Sequence, residues 1–89
     1  MVISSKGEYA LRVMADLAIN HDGRFIPLKE IVQKEELSQK YLESIMRMLS
    51  KANLIEAASG HGGGYRLKKA PEKYTLWEIL ELTEGGLAP

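Results

Sequence analysis

Cysteine is absent from the 89 residues. That removes a disulfide framework, a thiol nucleophile and any thiolate-ligated zinc or iron–sulfur site from this stretch. Long apolar runs are also missing: none exceeds three residues, as in Met1-Val2-Ile3, Val13-Met14-Ala15 or Leu17-Ala18-Ile19. A membrane span needs ~20 such residues and a secretory signal ~7–15, so a small cytoplasmic domain without a membrane partner is expected. Histidine is scarce. His21 and His61 sit in separate turns, neither spaced with carboxylates as a metal or catalytic cluster, and no nucleophile, base and orienting group can be assembled. The sequence therefore predicts neither an enzyme nor a metal site. Excess charge is missing as well, since 12 basic residues balance 12 acidic ones, which excludes a long tail of one sign. What is present is 45% hydrophobic and 27% charged, the composition of a folded chain. The length suits one domain, with a thin core burying roughly 60–65% of the unfolded surface.

Ser4 and Ser5 precede apolar residues at Ala10, Leu11, Met14, Leu17 and Ala18, the spacing of one helical face. Asn20-His21-Asp22-Gly23 ends that helix in turn residues, and Arg24-Phe25-Ile26 reads as a very short strand. Pro27 suits the start of a second helix with Leu28, Ile31 and Val32 inward, fading into Lys34-Glu35-Glu36. A connection of roughly Lys34 to Leu37 leads to a third helix capped by Ser38. Tyr41, Leu42, Ile45, Met46 and Leu49 lie on one side of it; Gln39, Lys40, Glu43, Ser44, Arg47 and Lys51 lie on the other. Two helices joined so tightly form a helix-turn-helix.

The period then changes. Leu54 to Ala58 and Tyr65 to Lys68 read as strands, joined by Ser59-Gly60-His61-Gly62-Gly63-Gly64 with its four glycines. Thr75-Leu76-Trp77-Glu78 is a capping box opening a last helix with Leu76, Ile79 and Leu80 buried, ended by Gly85-Gly86. The predicted fold is mainly α with a small β-hairpin, a single winged helix-turn-helix domain over 1–89. Its recognition helix is about 38–51, its wing about 54–68 and its following helix about 75–84.

Segment by segment, the charge is uneven. Residues 38–69 carry Lys40, Arg47, Lys51, Arg66, Lys68 and Lys69 against Glu43 and Glu56, a net of +4 between flanks of −1 and −3. Phosphate binding requires a local cationic surface rather than a basic protein. At the third helix, Ser38, Gln39, Lys40, Tyr41, Glu43 and Arg47 are the candidate DNA contacts. Glutamine can read adenine bidentately, and glutamate can accept from cytosine N4. Each has a plainer role too: Ser38 as a cap, Glu43 as an i, i+4 partner of Arg47, and Tyr41 as a packed ring. In the wing the candidates are Ser59, Gly60, His61, Gly62, Arg66 and Lys68, with backbone amides near phosphate or the minor groove. The loop lacks both the Gly-Lys-Ser/Thr ending of a P-loop and the third glycine of a dinucleotide fingerprint. Ser4, Ser5 and Lys6, at the start of the first helix, could offer amides and charge to a phosphate. Met14, Met46 and Met48 read as core filler, and Trp77 as a packing or subunit-contact residue.

Several segments together resemble one family of bacterial winged-helix repressors, which includes the iron–sulfur-cluster regulator, the nitric-oxide-sensing repressor and the cysteine-metabolism repressor. They are Ile3 to Leu11, Leu28 to Ile31, Leu37 to Glu43, Ala52 to Ile55, Gly60 to Leu67 and Thr75 to Ile79. The resemblance implies a homodimeric transcription factor on imperfect palindromes. Ser38, Tyr41 and Glu43 would stand at the recognition helix, and Ser59 to Gly62 at the wing tip. Many members carry an arginine at the position of Ser59 for the minor groove; serine cannot reach it, which leaves His61 or Arg66 to substitute. Members normally continue into a long dimerisation helix. In sensing members a cysteine-bearing loop there binds an iron–sulfur cluster, a cofactor expected here only if the natural chain runs past Pro89. The expected function is a sequence-specific DNA-binding domain of a bacterial transcriptional regulator, repressing by occluding a promoter. Its rival is a winged-helix module that docks another protein.

Overall fold

A computed structural model describes residues 2–85 of the chain. Helix α1 (Ser5–Ile19) begins behind Ser4, whose hydroxyl accepts from the Gly7 amide at 3.0 Å. It closes at Asn20, whose side-chain amide donates to the Asp16 carbonyl at 2.9 Å. Helix α2 (Leu28–Glu35) starts after Pro27 and stops where Glu36 turns left-handed, at φ 55°. Two residues on, Ser38 opens α3 (Gln39–Lys51) and accepts from the Tyr41 amide at 3.1 Å. The turn of the helix-turn-helix is therefore shorter than the sequence suggests. Lys34 and Glu35 continue α2, because Lys34 reaches Asp16 on α1 at 3.1 Å and Glu35 meets Arg12 at 3.8 Å.

Strands β1 (Ile55–Ala58) and β2 (Gly64–Leu67) form an antiparallel hairpin, pairing Ile55 with Leu67 and Glu56 with Arg66. The strand expected at Arg24-Phe25-Ile26 shrinks to one bridge, in which Ile26 and Tyr65 exchange both backbone hydrogen bonds at 2.7 and 2.9 Å. Pro27 follows at once and has no amide to extend the ladder. A single 3₁₀ turn, Pro71–Lys73, which the sequence reading did not anticipate, leads to α4 (Leu76–Thr83). The capping box forms in full: Thr75 Oγ1 accepts from the Glu78 amide at 3.1 Å, and Glu78 accepts from the Thr75 amide at 2.8 Å. Of the Gly85-Gly86 stop, Gly86 lies outside the described residues.

The helical periodicities converge on one core. Ala10, Val13, Met14 and Leu17 of α1 meet Ile31 of α2, Leu42, Ile45, Met46 and Leu49 of α3, and Ile79 of α4. Leu54, Ile55 and Leu67 seal it from the hairpin side. Leu76 departs from its expected burial and is 63% exposed. It shares a stripe with Ile79 and Leu80, but at the helix end it lines only an open groove with Leu11, Ala15 and Ala18.

Two polar ties hold the ends of the fold. The Ser4 amide and hydroxyl each donate to the Glu84 carboxylate at 2.8 Å, joining the start of α1 to the end of α4. The Thr83 hydroxyl, followed by those two donors, holds Glu84 below the ordinary carboxylate range. The Tyr74 hydroxyl donates to the Leu54 carbonyl at 2.6 Å and accepts from the Lys68 and Lys69 amides at 3.0 and 3.3 Å. That one oxygen fastens the hairpin's two outer ends. Tyr74→Phe should cost about 1–3 kcal/mol by orphaning the partly buried carbonyl. Urea denaturation would measure it, and a loss under about 0.5 kcal/mol, the level of an ordinary surface change, would contradict the assignment.

Candidate nucleic-acid interface

Helix α3 has two unlike faces. Leu42, Ile45, Met46 and Leu49 are buried, while Gln39, Lys40, Ser44, Arg47 and Lys51 are exposed and Glu43 is half-buried. The Tyr41 ring packs edge-on against Tyr9 of α1 with centroids 6.1 Å apart. Tyr9 in turn lies under the Arg12 guanidinium at 5.3 Å. An aromatic and cationic stack thus supports the start of α3 from behind. The sequence gives no signal for Tyr9 at the site, because 32 positions separate it from Tyr41 and no spacing rule links them.

Ser38 caps the helix, so its hydroxyl already holds one bond; the Ser44 hydroxyl is turned back onto the Tyr41 carbonyl at 2.6 Å. Glu43 and Arg47 form no ion pair among the described residues, so the sequence's local pairing does not occupy them. Lys40, Arg47 and Lys51 likewise have no carboxylate within 4.0 Å among those residues. Three cations therefore stand unneutralised along one exposed helix side. A surface of this kind gains most from a polyanion, since no internal partner must be displaced.

The wing is different. Ser59, Gly60, His61 and Gly62 are exposed at its tip, where the Gly63 amide donates to the Gly60 carbonyl at 3.0 Å. Gly60 and Gly62 adopt φ of 84° and 79°, and an added Cβ at either would meet open space. Their backbone is thus free to approach a partner closely. Two of the three cations at the base of the wing are committed. Arg66 is held by Glu56 and the Gly23 carbonyl, and Lys69 lies 3.6 Å from Glu78 and over the Tyr74 ring. Lys68 Nζ donates to the exposed Asn53 side chain at 3.2 Å, a weak tie. At the start of α1, Ser4 is committed to Glu84, while Ser5 and Lys6 are exposed. The net charge of residues 38–69 divides equally between helix and wing, but most of the cations without a carboxylate partner among the described residues, Lys40, Arg47 and Lys51, are on α3, with Lys68 at the base of the wing.

A family model, Rrf2, described as an iron-dependent transcriptional regulator, matches residues 3–89. The chain is 38% identical over 89 residues to the HTH-type transcriptional regulator CymR of Bacillus subtilis (strain 168), covering all of this chain and 64% of that protein. It is 36% identical over 86 residues to the HTH-type transcriptional regulator IscR of Cereibacter sphaeroides, covering 94% and 56%. Among solved structures, CymR (YrzC), the global cysteine regulator of B. subtilis, superposes with a TM-score of 0.93 at 37% identity, covering 100% of this chain and 69% of that one. T. potens IscR gives 0.87 at 34%, covering 100% and 65%. The chain spans little more than half to about two thirds of these curated relatives' length. The family description names iron, and the donor set here does not fit it: the chain has no cysteine. No three His, Asp or Glu side chains gather among the described residues either. No helix among those residues is long and apolar enough to cross a membrane.

Proposed function

The chain belongs to the Rrf2 family of transcriptional regulators, and from that premise we propose that it binds duplex DNA through α3 and the wing tip. The observation that carries the reading is the face of α3 where Gln39, Lys40 and Arg47 are exposed and no carboxylate pairs either cation among the described residues. An exposed helix of this polarity fits the major groove, with its first turn at base edges and its cations against phosphates. Gln39 and Glu43 read bases; Lys40, Arg47, Lys6 and Lys68 anchor the backbone; Ser38 caps the helix and can still offer its proton to a base or phosphate. The glycine-rich tip, Ser59 to Gly62, lies along adjacent backbone or in the minor groove. Two copies on an imperfect palindrome would occlude a promoter, so the module acts as a homodimeric repressor. A protein-docking role is not favoured, because the relatives are named as transcriptional regulators.

Selection of duplexes from a random library, followed by anisotropy titration over 50–200 mM salt, tests the reading. Log affinity should fall linearly with log salt, and a flat response would remove the phosphate contacts. Lys40→Ala should lower the slope by about 0.9, the value of one lost contact. Glu43→Ala should relax base preference, whereas Lys68→Ala should weaken all sequences alike; equal relaxation by both would contradict the division of roles. Sedimentation of the complex should give two chains per duplex, and one chain per duplex would remove the dimer.

A further inference from the structure

Arg66 has the residue type of a phosphate contact and the surroundings of a strut. It stands on β2 directly across from Glu56, and its Nε donates to that carboxylate. Its Nη1 donates to the Gly23 carbonyl at 2.6 Å, and its Cζ lies 4.2 Å from the centroid of the Phe25 ring. One residue earlier, Tyr65 exchanges backbone hydrogen bonds with Ile26. Every one of these contacts beyond the hairpin reaches the 23–26 segment that joins α1 to α2. A two-stranded hairpin is marginal alone and needs a third element to set its direction. Here that element is a loop stapled to β2 by a guanidinium, whose planar fork can bond two acceptors while its face covers an aromatic ring.

We propose that Arg66 is a positioning residue for the wing: through Glu56, the Gly23 carbonyl and the Phe25 ring it fixes the hairpin's angle to the α1–α2 segment, and it takes no phosphate. This rests on the DNA-binding reading above. A phosphate would have to draw the guanidinium away from a carboxylate it already contacts. The wing tip, with its glycines, has little of its own to define where it points. Specificity at the wing therefore depends on a residue far from the tip.

Four variants decide the matter on the selected duplex: Arg66→Ala, Arg66→Lys, Phe25→Leu and Glu56→Gln. A positioning role predicts that all four bind more weakly. Arg66→Ala should lose about tenfold, the equivalent of one charge-assisted hydrogen bond, and Arg66→Lys should not rescue it, since an ammonium can neither fork nor stack. The salt slope should match the wild type in all four. A phosphate role predicts the reverse: Arg66→Lys restores affinity, Arg66→Ala lowers the slope by about 0.9, and Glu56→Gln tightens binding by freeing the cation. Any of these three results overturns the proposal. Hydrogen exchange without DNA supplies an independent readout. The Ile26 and Tyr65 amides should lose protection in Arg66→Ala and Phe25→Leu while α1 and α3 keep theirs, and unchanged protection would refute the strut. If the wild type binds no duplex, the DNA reading falls while the exchange result still stands or fails by itself.

Discussion

Gly64→Ala should destabilise the fold by about 3–5 kcal/mol, a large share of the roughly 5–15 kcal/mol that holds a small domain together. Gly64 opens β2 at φ 144°, and a Cβ built there would lie 2.2 Å from the Ile26 carbonyl oxygen and 2.8 Å from the Pro27 nitrogen. Both obstacles are backbone, so no side-chain rotation relieves them. Relief requires Ile26 to leave Tyr65, which breaks the backbone β-bridge that ties the hairpin to the α1–α2 segment. Gly62→Ala is the control. It has φ 79° with open space around the added carbon, so only the left-handed strain of about 1–2 kcal/mol is introduced. Thermal melts should separate the two by more than about 10 °C for a chain of this size. Equal melting temperatures would show that the close approach to Ile26 contributes nothing. The fourfold glycine therefore serves two ends, with freedom at the tip and clearance at the root.

Stability should also fall as pH rises from about 5 to 8, and Glu35→Gln should abolish that component. Glu35 reaches from α2 to Asp16 of α1, and its side chain is only 8% exposed. Hydrogen bonding to Asp16 above all, then burial and the Asp16 charge, push the Glu35 carboxyl up to about 7; Arg12 and Lys34 pull it the other way. Asp16 is itself 8% exposed, with Oδ1 on Lys34 and Oδ2 lacking a donor. A protonated Glu35 carboxyl is the group that can supply that donor. Since the folded value lies above the unfolded one, near 4.5, the folded chain binds more protons between them. The contribution is therefore full below about 4.5 and lost as pH rises through about 7. At 1.36 kcal/mol per unit it amounts to about 1–3 kcal/mol. Glutamine offers the Asp16 oxygen an amide proton at every pH, so urea midpoints of Glu35→Gln should lack the decline. Asp22, Glu78 and Glu84 are shifted downward and act in acid instead, so the difference between wild type and variant is the quantity to follow. An unchanged decline in Glu35→Gln would show that the Glu35 proton is not its source.

The fold was legible wherever local chemistry decides. Ser4, Ser38 and Thr75 cap three helices as their types require, because a cap bonds an amide two or three residues away. The buried faces of α1 and α3 follow from period alone, as does the hairpin from its glycine break. Leu76 misled because its stripe continues beyond the point where another element covers it. The 3₁₀ turn at Pro71 carries no periodic signal in three residues.

Of the candidate interface, the sequence by itself determined which residues line the outer side of α3 and that the wing tip is rich in glycine. Both are properties of a single segment. Only tertiary structure decided which cations are free. Arg66 pairs with Glu56 across the hairpin and Lys69 with Glu78 across the turn into α4, while the further ties of Arg66, to Gly23 and Phe25, join segments far apart in sequence. Charge is additive along a chain, but its neutralisation depends on distances of a few ångströms that folding alone creates.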